Sequence, residues 1–122
     1  MLIRGASGTG KSGLALQLIA YGAVLVSDDR TQLFRQGAAV YADAPDTIRG
    51  MIEARHVGLL QTLCSGPVKL VLIVDMDCQE TDRLPPQRQE TLLGVALPVV
   101  RKSVLPHFPA AILTYLKGGR VA

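Results

Sequence analysis

Nowhere does this 122-residue sequence run to the ~20 consecutive apolar residues that a membrane-spanning helix needs. Its start has no basic region followed by an apolar stretch and a cleavage site. These two absences exclude a spanning helix and a secretory signal, and they predict a soluble, cytoplasmic chain. Cysteine is scarce: Cys64 and Cys78 are the only two, in no metal-type or redox-type spacing, and they read as reduced thiols rather than a disulfide framework. A dense basic run is missing as well. The 13 basic and 10 acidic residues give a formal charge of +3, but apart from Arg101-Lys102 the basic residues stand singly and form no dense run, which excludes a nucleic-acid-binding arm. The small positive excess suits a protein whose ligand is an anion. Internal repeats and low-complexity segments are absent too.

What is present is enough for one core. With 48% hydrophobic and 19% charged residues, the chain is long enough to bury one apolar interior and too short to divide comfortably into two domains. Residues 1–122 therefore read as one domain. Met1 to Arg4 reads as the tail of a strand that enters a glycine-rich turn. Ser12 to Ala20 has helical spacing of Leu14, Leu16, Leu18 and Ile19, with Gly22 placed as its C-terminal cap. Ala23 to Ser27 is a short apolar run that resembles a buried strand delivering Asp28 and Asp29 at its carboxyl end, where open α/β sheets place their ligands.

Further along, Thr31 to Arg35 and Ala38 to Ala42 predict a hairpin about Gln36-Gly37, and Asp46 to Ala54 predicts a short helix after Ala44-Pro45. Val57 to Leu63 and Val68 to Val74 are strand candidates, the second apolar enough to lie at the centre of a sheet. The polar stretch Cys78 to Glu90, with Pro85-Pro86, reads as a loop or lid. Leu92 to Val100 returns to apolar residues interrupted by Pro98, and its type is left open. Leu105 to Lys117, closed by Gly118-Gly119, predicts a final helix.

The strongest local signal is Gly5-Ala6-Ser7-Gly8-Thr9-Gly10-Lys11-Ser12, which meets the pattern G-x-x-x-x-G-K-[ST] in full between a strand end and a helix. The glycines let backbone N–H groups converge on phosphate oxygens. Lys11 supplies a compact positive charge for the β- and γ-phosphates, and the Ser12 hydroxyl suits a magnesium ion at the helix N-terminus. The pattern therefore predicts a nucleoside triphosphate with Mg²⁺. Two sets of carboxylates compete to complete the metal site. One is Asp75, which ends an apolar strand as the acidic residue of a conventional P-loop ATPase does. The other is the group Asp28, Asp29 and Glu53. Residue types alone leave both open.

The order of four segments resembles the catalytic domain of HPr kinase/phosphorylase. These are the loop Gly5 to Ser12, then Leu25-Val26-Ser27-Asp28-Asp29, then Ala44-Pro45, then Met51-Ile52-Glu53-Ala54-Arg55-His56-Val57-Gly58-Leu59-Leu60. The resemblance implies an α/β fold in which a P-loop-containing mixed sheet is flanked by helices, as in HPr kinase and phosphoenolpyruvate carboxykinase. It implies transfer of phosphate from ATP to a serine of the phosphocarrier protein HPr, in regulation of the sugar phosphotransferase system, and the reverse phosphorolysis of phospho-HPr with inorganic phosphate. Under it, Lys11 holds the β- and γ-phosphates, Ser12 and Glu53 bind Mg²⁺, Asp29 or else Asp28 is the base, and Arg55 and Arg101 add positive charge.

The resemblance also implies a glycine where His56 stands. If that position requires a left-handed backbone, His56 costs about 1–2 kcal/mol there. It implies, too, a histidine and further strand upstream of the loop, so the sequence as given is expected to lack N-terminal strand. Members of the family form hexamers, so a homo-oligomer is expected, and a mean hydropathy of +0.28 leaves apolar surface for a second copy to cover. Two readings of another class stand beside this one: a small-metabolite P-loop kinase that uses Asp75, and a non-catalytic ATP-binding signalling module.

Overall fold

The computed structural model describes residues 1–122. In chain order the elements are β1 (Leu2–Arg4), α1 (Lys11–Ala20), β2 (Gln32–Gln36), β3 (Ala39–Asp43), a single 3₁₀ turn (Asp46–Ile48), β4 (Met51–Ala54), β5 (Gly58–Gln61), β6 (Val68–Lys69), β7 (Ile73–Gln79), β8 (Arg88–Leu92), β9 (Val95–Lys102) and α2 (Phe108–Gly118). The main sheet has the order β1-β7-β9-β8. Its β1·β7 and β7·β9 pairs are parallel and its β8·β9 pair antiparallel, so the expected mixed α/β sheet is present. A second sheet has the order β2-β3-β6, and β4 and β5 form a separate hairpin.

Strand β7 explains why its sequence is a continuous apolar run. Period-2 alternation sends Leu72, Val74 and Met76 into one cluster with Leu14, Leu18, Phe108 and Ile112 of the two helices. Ile73 instead faces Val40, Ala42, Leu70 and Leu97 across the other side of the sheet. Both faces are covered, so both parities must be apolar. The expected strand Val68 to Val74 is in fact two. Val68–Lys69 pairs with β3, and the chain then crosses into the main sheet, where β7 begins at Ile73.

Helix α1 ends where Gly22 was expected to cap it. The Ala23 N–H donates to Leu18 O and the Gly22 N–H to Ile19 O, each at 2.9 Å, with Gly22 at φ 103°; this is the double bond of a Schellman close. The β2–β3 hairpin also lies where it was expected, and Phe34 stacks on Tyr41 across it with ring centroids 5.7 Å apart.

Four further expectations change. The run Ala23 to Ser27 is not a strand: only Leu25 pairs, in an isolated parallel bridge with Cys64, because no longer neighbouring strand runs beside it. Asp46 to Ala54 is not a helix but one 3₁₀ turn followed by β4. Arg49 closes that turn, its guanidinium donating to Asp43 Oδ1 at 2.7 Å, Ala44 O at 2.8 Å and Asp46 Oδ1 at 3.1 Å. Gly50 at φ 78° then ends it. Ile52 and Ala54 are buried while Met51 and Glu53 point outward, which is strand alternation.

Val57 to Leu63 is reduced to Gly58–Gln61, the return strand of the β4–β5 hairpin. Finally, the polar stretch after Cys78 is shorter than a lid from Cys78 to Glu90. β7 continues to Gln79, β8 starts at Arg88, and an ion pair between Glu80 and Arg88 ties the ends of the connection. The segment of open type, Leu92 to Val100, belongs to the β8–β9 hairpin, which turns at Leu93 and Gly94 with φ 49° and 79°, the positive pair that a type I′ turn requires.

The Arg49 brace has a pH signature. The Asp43 carboxyl is held below the usual carboxylate range, first by the hydrogen bond from Arg49 and next by that from the Ala44 N–H. A value lower in the folded state means that the stabilisation is complete above the ordinary carboxylate pKa of about 4 and is lost as pH falls through the folded value. Replacing Arg49 by methionine is therefore expected to lower the urea midpoint at pH 7 and to change it little at the acid end. An equal loss at both pH values would mean that Arg49 acts by packing alone.

Candidate functional site

The loop between β1 and α1 sits at the carboxyl end of the parallel strands, because β1 delivers the chain there and α1 carries it back along the sheet. Gly5 lies close against β7 and its neighbours. A Cβ there would meet Thr9 Oγ1 at 2.8 Å and Met76 Cβ at 3.1 Å, at a φ of 151°, so the position admits glycine alone without rearrangement. Gly8 and Gly10 have φ 85° and 94°. The Lys11 ammonium is folded over the loop, donating to Gly5 O at 2.5 Å and Ala6 O at 3.1 Å. No side chain caps α1 and its first turn contains no acidic residue, so the positive end of the helix dipole is not offset by a protein carboxylate of its own.

Asp28 joins three segments. Its Oδ1 accepts from the Ser12 hydroxyl at 3.3 Å and its Oδ2 accepts from the Glu53 N–H at 2.9 Å. Ser12 and Asp28 thus meet through their side chains, and Glu53 joins them through its backbone N–H alone. Asp29 follows at an exposed position in a kinked segment where the Ser27 hydroxyl donates to its backbone carbonyl at 2.8 Å and Arg30 adopts φ 54°. The Asp29 carboxylate makes no hydrogen bond within the fold.

Arg55 is exposed in the β4–β5 turn, and Arg101 is half-buried opposite Asp75 in the β7·β9 register. Neither side chain forms an ion pair or a hydrogen bond within the fold. Asp75, the competing metal carboxylate, is committed elsewhere: it pairs with Arg4 at 3.4 Å and accepts the Asp77 N–H at 2.9 Å. No cluster of three or more His, Cys, Asp or Glu side chains arranged to hold a metal occurs. The oxygens of Ser12 and Asp28 still fit a magnesium ion, because that ion is commonly held by one or two protein carboxylates together with substrate phosphates.

Two contacts to the loop were not foreseen in the sequence. Asp77 Oδ1 accepts the Ala6 N–H at 2.8 Å, and Lys102 Nζ donates to Thr9 O at 3.0 Å. Both residues stand near the carboxyl ends of strands that run parallel within the sheet. The rule that ligands gather at those ends points to Asp77 and to Lys102, rather than Arg101, as residues that hold the loop.

Strand, glycine loop and helix, set on a mixed sheet, define this chain as an α/β domain with a glycine-rich loop between its first strand and helix. The chain belongs to the HPr serine kinase C-terminal domain family, whose model matches residues 1–108. It is 38% identical over 119 residues to the HPr kinase/phosphorylase of Leptothrix cholodnii, covering 86% of this chain and 36% of that protein. It is 33% identical over 127 residues to the protein of that name from Azoarcus sp., covering 93% of this chain and 41% of the relative. It is therefore similar to less than half the length of these curated relatives. The structure titled Hpr(Ser) kinase/phosphatase from Coxiella burnetii superposes with a TM-score of 0.77, covering 94% of this chain and 83% of the other at 22% identity, which establishes the shared fold.

The residue where the family resemblance implies glycine is strained as anticipated: His56 has φ 68° at the tip of the β4–β5 hairpin, where the Val57 N–H donates to Ala54 O at 3.0 Å. His56→Gly is expected to raise stability by about 0.5–1 kcal/mol, the left-handed penalty less the greater entropy that glycine loses on folding. Thermal or urea denaturation measures this, and a loss of stability would mean that the imidazole makes contacts outweighing its backbone strain.

Proposed function

We propose that this chain carries the nucleotide-binding and phosphoryl-transfer centre of a cytoplasmic, ATP-dependent serine kinase that acts on the phosphocarrier protein HPr. In the forward direction a serine hydroxyl of HPr attacks the γ-phosphorus of ATP, giving phosphoserine, ADP and a proton. In reverse, inorganic phosphate attacks the phosphoserine and releases serine and pyrophosphate. Membership of the family supports the reaction. The single observation that carries the assignment of roles is the contrast between Asp28 and Asp29. Each Asp28 oxygen already accepts one hydrogen bond, which holds Ser12 beside β4 and leaves its remaining lone pairs to the metal ion. Asp29 is exposed and has an unengaged carboxylate, so it is the group able to take the hydroxyl proton and to return it in phosphorolysis.

Residues Gly5 to Ser12 cradle the phosphates, and Lys11 exchanges its bonds to Gly5 O and Ala6 O for phosphate oxygens. Ser12, Asp28 and Glu53 hold the magnesium ion, which when bound neutralises phosphate charge. Arg55 and Arg101 are proposed as further positive charge for the transferring group. Residues 1–122 act as one catalytic unit. The small-metabolite kinase reading draws no support from Asp75, whose carboxylate is tied to Arg4.

We also propose a homo-oligomer, hexameric by resemblance. Val57, Leu59 and Leu63 are 75%, 66% and 82% exposed around the β4–β5 hairpin, apolar area that a second copy would cover. Sedimentation velocity checks this, and a monomer at every concentration would refute it.

Transfer of label from γ-labelled ATP to purified HPr in the presence of Mg²⁺ tests the main reading. Asp29→Ala is expected to lower the rate by at least about 10²-fold, the lower range for removing a general base, with ATP affinity unchanged by calorimetry. Asp75→Asn is expected to have a small effect. Normal turnover by Asp29→Ala would remove it as the base, and ATP binding without transfer by the unmodified protein would favour a non-catalytic module.

A further inference from the structure

Next to the loop lies an open-sided cavity of about 310 Å³ to which the roles above give no occupant. Thr9 and Gly10 of the loop form its near end. Gly13 and Gln17, four residues apart and hence on one face of α1, line one wall, while Met76 and Phe108 are buried beneath. Val104 and Leu105 line it from the segment between β9 and α2, and they remain 67% and 53% exposed, an unusual expense of apolar surface so close to a polar loop. The volume lies at the lower end of small-molecule sites.

Its chemistry restricts what fits. No carboxylate lines it and Lys102 does, so the cavity itself adds no repulsion to an anionic ligand held at the adjoining loop. Its apolar residues favour a neutral group that gains by leaving water. The Gln17 side-chain amide forms no hydrogen bond within the fold, leaving both a donor and an acceptor for the edge of a heterocycle. Free phosphate has no use for such a surface. A nucleoside attached to phosphates at Gly5 to Ser12 carries a group of the required kind beside it.

We infer that this cavity is the subsite for the nucleoside base of the bound triphosphate, and that Gly13 keeps it open by having no side chain. The inference rests on the nucleotide-binding reading of the loop. A Cβ built on Gly13 meets nothing within 4 Å, so a larger side chain there extends into open space rather than into the backbone. The helix itself favours leucine over glycine, so the fold is not put at risk by the change.

Calorimetric titration of the unmodified protein and of Gly13→Leu, with Mg-ATP and with magnesium tripolyphosphate, tests this. The unmodified protein is expected to bind ATP at least about tenfold more tightly than tripolyphosphate, equivalent to about 1.4 kcal/mol. Gly13→Leu is expected to lose that advantage and to keep its tripolyphosphate affinity. Equal affinity of the unmodified protein for the two ligands, or an ATP advantage that survives in Gly13→Leu, overturns the subsite. Failure of the unmodified protein to bind either ligand overturns the loop reading instead. If Gly13→Leu loses both ligands, the double variant Val104→Ser/Leu105→Ser on the exposed wall decides: a reduced ATP advantage with tripolyphosphate binding retained supports the subsite, and an unchanged advantage overturns it.

Discussion

Strand β7 is the constraint on which the rest of the molecule depends. It is hydrogen-bonded on both edges, to β1 and β9, and covered on both faces, by the helices on one side and by residues from β3 and β9 on the other. Leu72, Ile73 and Val74 are fully buried in consequence. Such a strand cannot carry a charge until it emerges from these layers. Its first carboxylates are Asp75, half-buried and paired with Arg4, and Asp77, at the exposed end of the strand, where it accepts the Ala6 N–H. Burial of the strand and placement of the loop thus follow from one run of sequence.

The site divides its carboxylates by what already engages them. Asp75 and Asp77 face partners within the fold and serve the framework. Asp28 couples the start of α1 to β4 through its two oxygens. Asp29, one residue later, is turned outward by a kink that includes a left-handed Arg30. Adjacent residues of one type therefore acquire different availability from backbone direction alone, without a difference in composition.

The parts of the fold that were legible in the sequence are those where one local rule acts without competition. The glycine loop, helix α1 with its Gly22 close, the hairpin about Gln36-Gly37 and the central position of β7 are of this kind. The parts misread were decided by distant partners. Asp46 to Ala54 has a helix-start signal, but Arg49 gathers Asp43, Ala44 and Asp46 into a closed turn and Gly50 ends it. Ala23 to Ser27 has the composition of a strand but only Cys64 beside it to pair with. The β8–β9 turn was hidden because Leu93, not asparagine or aspartate, occupies its first left-handed position. At the site, Lys11 and Ser12 are proposed from the motif, and Asp28 and Glu53 from the family resemblance. Asp77 and Lys102 went unread because their function depends on strand ends meeting in space.

The two contacts that hold the loop also say when it forms. Ala6 and Asp77 are 71 residues apart in the chain, and Thr9 and Lys102 are 93 apart. Each closes a long segment, and long closures exact their entropy before any contact compensates them. A folding chain that has made α1 and its hairpins but has not yet docked β7 and β9 has the glycines of the cradle without its frame. The glycine loop, though first in the sequence, is framed only when the strands that carry Asp77 and Lys102 are in place, so its framed shape marks a chain whose sheet is complete.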